Sequence, residues 1–142
     1  MLDWRDYGKA YGAEMIALSQ AFAKALDAEG LPVFAKAQGY TKSHQFAIEA
    51  ARFGGGQTAS KQLREAGFLA CGIGLPIGPV EGDMNGLRIG TPELVRWGVT
   101  VDRIEEIASL IARALVSNGP AELSNETKAL RREFNTLHYM RN

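Results

Sequence analysis

The chain has 142 residues, enough for one domain with its own core, and 46% hydrophobic with 23% charged residues excludes a disordered polypeptide. Sixteen basic residues balance sixteen acidic ones, so there is no cationic surplus for nucleic acid, and no apolar run nears the roughly 20 residues needed to span a bilayer. The start Asp3-Trp4-Arg5-Asp6 carries charges where a signal peptide would need an apolar stretch, the lone Cys71 suggests a reducing cytoplasmic setting, and two histidines with one cysteine argue against a metal centre.

The first predicted element is a long helix over about 6–28. Tyr7, Tyr11, Met15, Leu18, Phe22 and Leu26 recur at spacings of three and four, and Gly30 and Pro32 stop the run. Segments 33–37 and 45–51 read as strands, the second with Phe46 and Ile48 alternating against Gln45, Ala47 and Glu49. The polar stretch between them, 38–44, is a solvated loop or the edge of a site.

After the Gly54-Gly55-Gly56 turn, Thr58 is positioned to cap a helix that reaches about Ala66 and stops at Gly67. A glycine run before a helix also invites a phosphate cradle, but the spacing of a Walker or dinucleotide loop is missing, so a turn is the expectation. Residues 68–74 form a short apolar strand with Cys71 buried in it, and the proline- and glycine-rich 75–83 is a loop. Leu87 and Ile89 face one side of the next strand and Arg88 the other. Pro92 opens a short helix through Arg96, closed by Gly98.

Thr100 is expected to cap an amphipathic helix with the stripe Ile104, Ile107, Ala108, Ile111 and Leu115. Asn118-Gly119-Pro120 ends it, and a last helix follows over about 125–138, with Leu123, Leu130, Phe134 and Leu137 on one face. The order predicts a single α+β domain over 1–142: a small, mostly antiparallel sheet with helices on one face. The first helix, a body over 33–117 and the final helix are its parts.

Arg88 is the leading candidate for function. Its guanidinium is always charged and its planar fork matches a carboxylate. Gly86 and Gly90 leave room beside it for another group. His44 is a second candidate, able to orient a hydroxyl or relay a proton near neutral pH, or else a turn histidine. Lys42 reads as a solvated loop lysine, His138 as surface, and Trp97 as packing.

The segment Asn85-Gly86-Leu87-Arg88-Ile89-Gly90-Thr91-Pro92, with Gly98 and an amphipathic helix after it, resembles the arginine motif of the serine hydroxymethyltransferases. Thr41-Lys42-Ser43-His44-Gln45, the helix from Thr58 to Gly67 and Ala129-Leu130-Arg131-Arg132-Glu133-Phe134 extend the likeness over essentially the whole chain. The family comprises fold-type I pyridoxal-phosphate (PLP) enzymes, and the resemblance is to its C-terminal domain alone. It implies that Arg88 binds the substrate α-carboxylate; His44 and Thr91 stand beside it as further candidate substrate contacts. The Schiff-base lysine and the PLP site of the family's large domain have no counterpart in these residues, so no catalytic residue is expected here. The asparagine-rich strand and the Ile-Pro-Phe-Asp turn of the family are replaced by Cys71 to Gly78, and its folate-holding loop by Pro79 to Met84, which speaks against tetrahydrofolate use.

These readings predict the small subunit of a split PLP enzyme, a hydroxymethyltransferase, transaldolase or aldolase acting on β-hydroxy amino acids. Met1 at the start of the chain favours a naturally separate subunit. PLP would be held by a large-domain partner in a hetero-oligomer with two copies of each chain. Tyr7, Tyr11 and Met15 on the first helix and Phe134 on the last are the expected apolar interface. A non-catalytic regulatory or scaffolding domain and a stand-alone amino-acid-binding domain remain open beside that reading.

Overall fold

A computed structural model describes residues 2–141. Helix α1, Leu2–Ala28, starts one turn earlier than its apolar stripe and buries Tyr11, Met15, Leu18, Phe22 and Leu26. Strand β1, Gln45–Glu49, follows, then α2, Gly56–Glu65, and the short β2, Cys71–Ile73. Strand β3, Gly86–Gly90, leads into α3, Pro92–Arg96, α4, Ile104–Val116, and α5, Ser124–Glu133.

The three strands form one antiparallel sheet in the order β1-β3-β2, with β3 in the centre. This is the expected α+β arrangement. Phe46, Ile48, Leu87 and Ile89 lie against α1, α2 and α4 in the core. Each such side chain contributes about 1.5–3 kcal/mol through burial. The α4 stripe is buried as its periodicity requires.

Four local expectations give way. The segment 33–37 is no strand: Val33 makes one bridge to Ile48, and Ala35 then turns left-handed with φ 58° into a 3-10 turn. Strand β2 is confined to three residues of the predicted 68–74, and the last helix stops at Glu133 because Phe134 leaves helical geometry. Thr58 and Thr100 do not cap helices through their side chains; Gly55 starts α2, and a 3-10 turn precedes α4.

The expected apolar interface is mostly covered from within. Tyr11, Met15 and Phe134 are buried, and only Tyr7 of that set is exposed. Tyr139 from the C-terminal segment stacks on Tyr11 at 5.2 Å, and Met15 and Phe134 belong to the domain's own core. Among the described residues no helix is long and apolar enough to cross a membrane.

Candidate functional site

The residues around Arg88 are held from behind. Thr91, fully buried, donates its hydroxyl to the Met15 carbonyl of α1 at 2.8 Å, and lies 3.1 Å from the His44 carbonyl. The Thr91 amide donates to the same His44 carbonyl at 2.9 Å. The Tyr11 hydroxyl donates to the Pro92 carbonyl at 2.8 Å. Helix α1 therefore clamps the chain where β3 passes into α3, directly after Arg88. Thr91 does not line the cleft in front of Arg88; its polar atoms are engaged in the scaffold.

Antiparallel pairing places Ala47 and Cys71 opposite Arg88 on either side, all three on the face of the sheet turned away from the helices. A cleft of about 390 Å³ opens there, lined by His44, Gln45, Leu69, Ala70, Cys71, Arg88, Gly90 and Pro92. No acidic side chain lines it. Among the described residues, the Arg88 side chain has no hydrogen-bond or ion-pair partner, whereas Arg103, Arg113 and Arg141 reach carboxylates. A guanidinium on a fixed strand, facing open space without an internal counter-ion, is suited to an external carboxylate.

His44 is brought to this cleft by a loop that bonds to itself. The Thr41 hydroxyl donates to the Gln45 carbonyl at 2.6 Å, and the Ser43 amide donates to the Thr41 hydroxyl at 3.0 Å. The exposed His44 side chain and Arg88 share the cleft, while Lys42 is exposed and outside it. Cys71 departs from expectation: it is half-buried at the cleft rather than sealed in the core. Its face follows from the register with β3, so alternation in β2 alone could not reveal it. Trp97 packs as expected, beneath the Arg131 guanidinium at 4.3 Å, and His138 is exposed.

The glycine-rich start of α2 is a second place suited to an anion, and the chain fills it itself. Asp83 accepts hydrogen bonds from the Gln57 amide at 2.8 Å and the Thr58 amide at 2.9 Å, and from the Thr58 hydroxyl at 2.8 Å. It also accepts one from the Met84 amide at 2.6 Å. These donors, the Gln57 amide foremost, pull the Asp83 carboxyl down to about 2. Gly55, with φ 118°, admits the carboxylate: a β-carbon there would sit 2.4 Å from Asp83 Cγ. Gly56 lets the helix rest on β3, because a β-carbon would fall 2.0 Å from the Gly86 carbonyl oxygen.

The loop between β2 and β3 is equally determined. Asn85, 8% exposed, accepts from the Leu75 amide at 2.6 Å, and its amide nitrogen reaches the carbonyls of Leu75, Ile77 and Gly78. The segment 79–84, standing where the resemblance places a folate-holding loop, carries Asp83 to its capping position. Nothing here fits PLP. No lysine lines the cleft, and the helix start that could hold a phosphate is taken by Asp83. Among the described residues no cluster of three or more His, Cys, Asp or Glu could hold a metal ion.

No protein-family model matches the chain. An α-methylserine aldolase of Variovorax paradoxus is 59% identical over 140 residues, covering 99% of this chain and 32% of the relative. One from Ralstonia sp is 55% identical over 142 residues, with the same coverage. The serine hydroxymethyltransferase of Methanopyrus kandleri is 34% identical over 142 residues, covering 98% of this chain and 33% of that protein. The chain thus spans about a third of the length of these curated relatives. Its fold matches the crystal structure of L-threonine transaldolase from Pseudomonas fluorescens with a TM-score of 0.83 and 24% identity, over 96% of this chain and 31% of that one. At that identity the likeness speaks for the fold alone.

Proposed function

From the premise that this chain belongs to the serine hydroxymethyltransferase-like fold-type I PLP enzymes as their C-terminal small domain, we propose that it supplies Arg88 as the substrate-carboxylate anchor of their active site. The observation that carries this reading is the unpartnered guanidinium on a clamped strand, in a cleft without an acid. A carboxylate docked there gains two parallel charge-assisted hydrogen bonds and a fixed orientation. The clamp by Tyr11 and Thr91 keeps the strand end from drifting when the ligand arrives. His44, at one end of the cleft, orients the substrate's β-hydroxyl. Thr91 contributes from behind by holding the His44 carbonyl and the end of β3.

The PLP of the family resides on a large domain that faces this cleft. In the proposed arrangement a partner chain carries that domain, and the two chains form a hetero-oligomer in the cytoplasm. The reaction is the making or breaking of the bond between the α- and β-carbons of a β-hydroxy amino acid. The relatives named as α-methylserine aldolases support the aldolase form over folate-dependent transfer.

The test mixes the purified chain with a PLP-holding large domain of the family and follows aldehyde release from α-methylserine. The chain alone should give no turnover, the mixture should, and Arg88→Ala should remove it. Full activity of the isolated chain sinks the split arrangement. Unchanged turnover in Arg88→Ala returns the domain to a scaffolding role.

A further inference from the structure

The cleft has two unlike walls. Strand β3 runs through the middle with Arg88 on it. On the β1 side lie His44 and Gln45, both polar; on the β2 side lie Leu69, Ala70 and Cys71, none with a charge or a hydroxyl. Cys71 is the direct antiparallel partner of Arg88. Such partners project from the same face with β-carbons about 4.5–5.5 Å apart. The Arg88 guanidinium and the Cys71 side chain therefore border the same cleft.

We infer that Cys71, extended outward by Leu69, forms the wall that receives an apolar group on the substrate's α-carbon, and so selects α-alkyl β-hydroxy amino acids over their α-hydrogen counterparts. The inference rests on Arg88 as the carboxylate anchor. With the carboxylate fixed, the β-hydroxyl belongs toward His44 and Gln45, where it finds hydrogen-bond partners. The opposite substituent is then directed at the β2 side. A methyl group there displaces water from an apolar wall, whereas a polar group would lose its hydration without compensation. Leu69, 87% exposed, is left without cover by the chain itself. The thiol of Cys71 is small enough to leave the wall recessed between Arg88 and Leu69.

With the complex of this chain and its PLP-holding large-domain partner, the experiment measures kcat/KM for α-methylserine and for serine. The two differ only in the α-methyl group. Wild type should favour α-methylserine, and Cys71→Leu, which fills the recess, should lower the α-methylserine-to-serine ratio by about tenfold or more, the scale of one methyl group in a shaped pocket. Leu69→Gln, at an exposed position where folding is not at stake, should lower it in the same direction by less. Calorimetric binding of 2-aminoisobutyrate against alanine reads the same methyl group without turnover and should follow the same order. Arg88→Ala serves as the control: it should weaken all four ligands and, because the wall acts on an α-carbon held by the anchor, draw both ratios toward unity. If Cys71→Leu and Leu69→Gln leave both ratios unchanged while Arg88→Ala weakens binding, the wall assignment is overturned and the anchor stands. If Arg88→Ala binds normally, the anchor fails and the wall assignment falls with it.

Discussion

Two places in this domain present donors or positive charge suited to an anion, and among the described residues only one is filled from within. At the start of α2, glycine backbone geometry and three donors from Gln57 and Thr58 converge on Asp83. At the centre of the sheet's open face, Arg88 presents a fixed positive charge to a cleft with no acid in it. The first arrangement ties the loop before β3 to α2, while the second leaves a cation with no partner among the described residues. The contrast teaches that an anion site completed by the chain serves the fold. One left open on a rigid support is available to a ligand.

The sharpest way to break the contrast is to remove the open cation. Arg88→Ala should lower kcat/KM of the PLP-loaded protein by about 100- to 1000-fold, as expected for a lost pair of charge-assisted hydrogen bonds. The melting temperature should stay put, because Arg88 has no internal partner to lose. A comparable fall in melting temperature would mean that Arg88 belongs with the structural group after all.

Gly56→Ala acts on the other side of the comparison. Its β-carbon would meet the Gly86 carbonyl oxygen at 2.0 Å, so α2 or β3 must move. The expected cost is about 3 kcal/mol in chemical denaturation, the upper part of the usual range for an overpacked site. Asn85→Ala should cost about 1–3 kcal/mol, since it strands the Leu75 amide and leaves the β2–β3 loop without its central tie. Neither variant should alter substrate selectivity beyond its effect on folding.

The smallest effect concerns pH. The Asp83 carboxyl sits at about 2 in the folded chain against an ordinary value of 3.8. A depressed folded value means that the carboxylate form stabilises the fold, fully so above the unfolded value. That contribution is lost as pH falls from about 4 through about 2. Thermal melts of wild type and Asp83→Asn should therefore converge on acidification over that window and differ most near neutrality. Parallel curves throughout would remove Asp83 from the account of the helix start.

Much of this was readable in the residues themselves. The α1 and α4 stripes, the inward Leu87 and Ile89, and the outward Arg88 follow from periodicities that packing reinforces. The segment 33–37 was not readable, because a short apolar run looks alike in a strand and in a turn. Here Ala35 and Tyr40, both with left-handed backbone, close the turn after a single bridge. The cap of α2 escaped for another reason: Asp83 lies 25 residues beyond Thr58, and only the folded loop brings them together. Local capping rules select the nearest hydroxyl, and Thr58 instead donates its own to Asp83. The end of α5 was set by tertiary contact too, with the His138 amide turning to the Arg96 carbonyl. In the cleft, Arg88 and His44 were legible by residue type. Cys71 was not, because its face depends on pairing with β3.

The most direct test of Arg88 as a carboxylate anchor compares serine with serinamide, in which a neutral carboxamide of similar shape replaces the carboxylate. Binding of both to the PLP-loaded protein is measured by titration calorimetry in wild type and in Arg88→Ala. Wild type should prefer serine by about 100-fold, and the variant should bind the two within a few-fold of each other. A preference for serine that survives intact in Arg88→Ala would contradict the assignment.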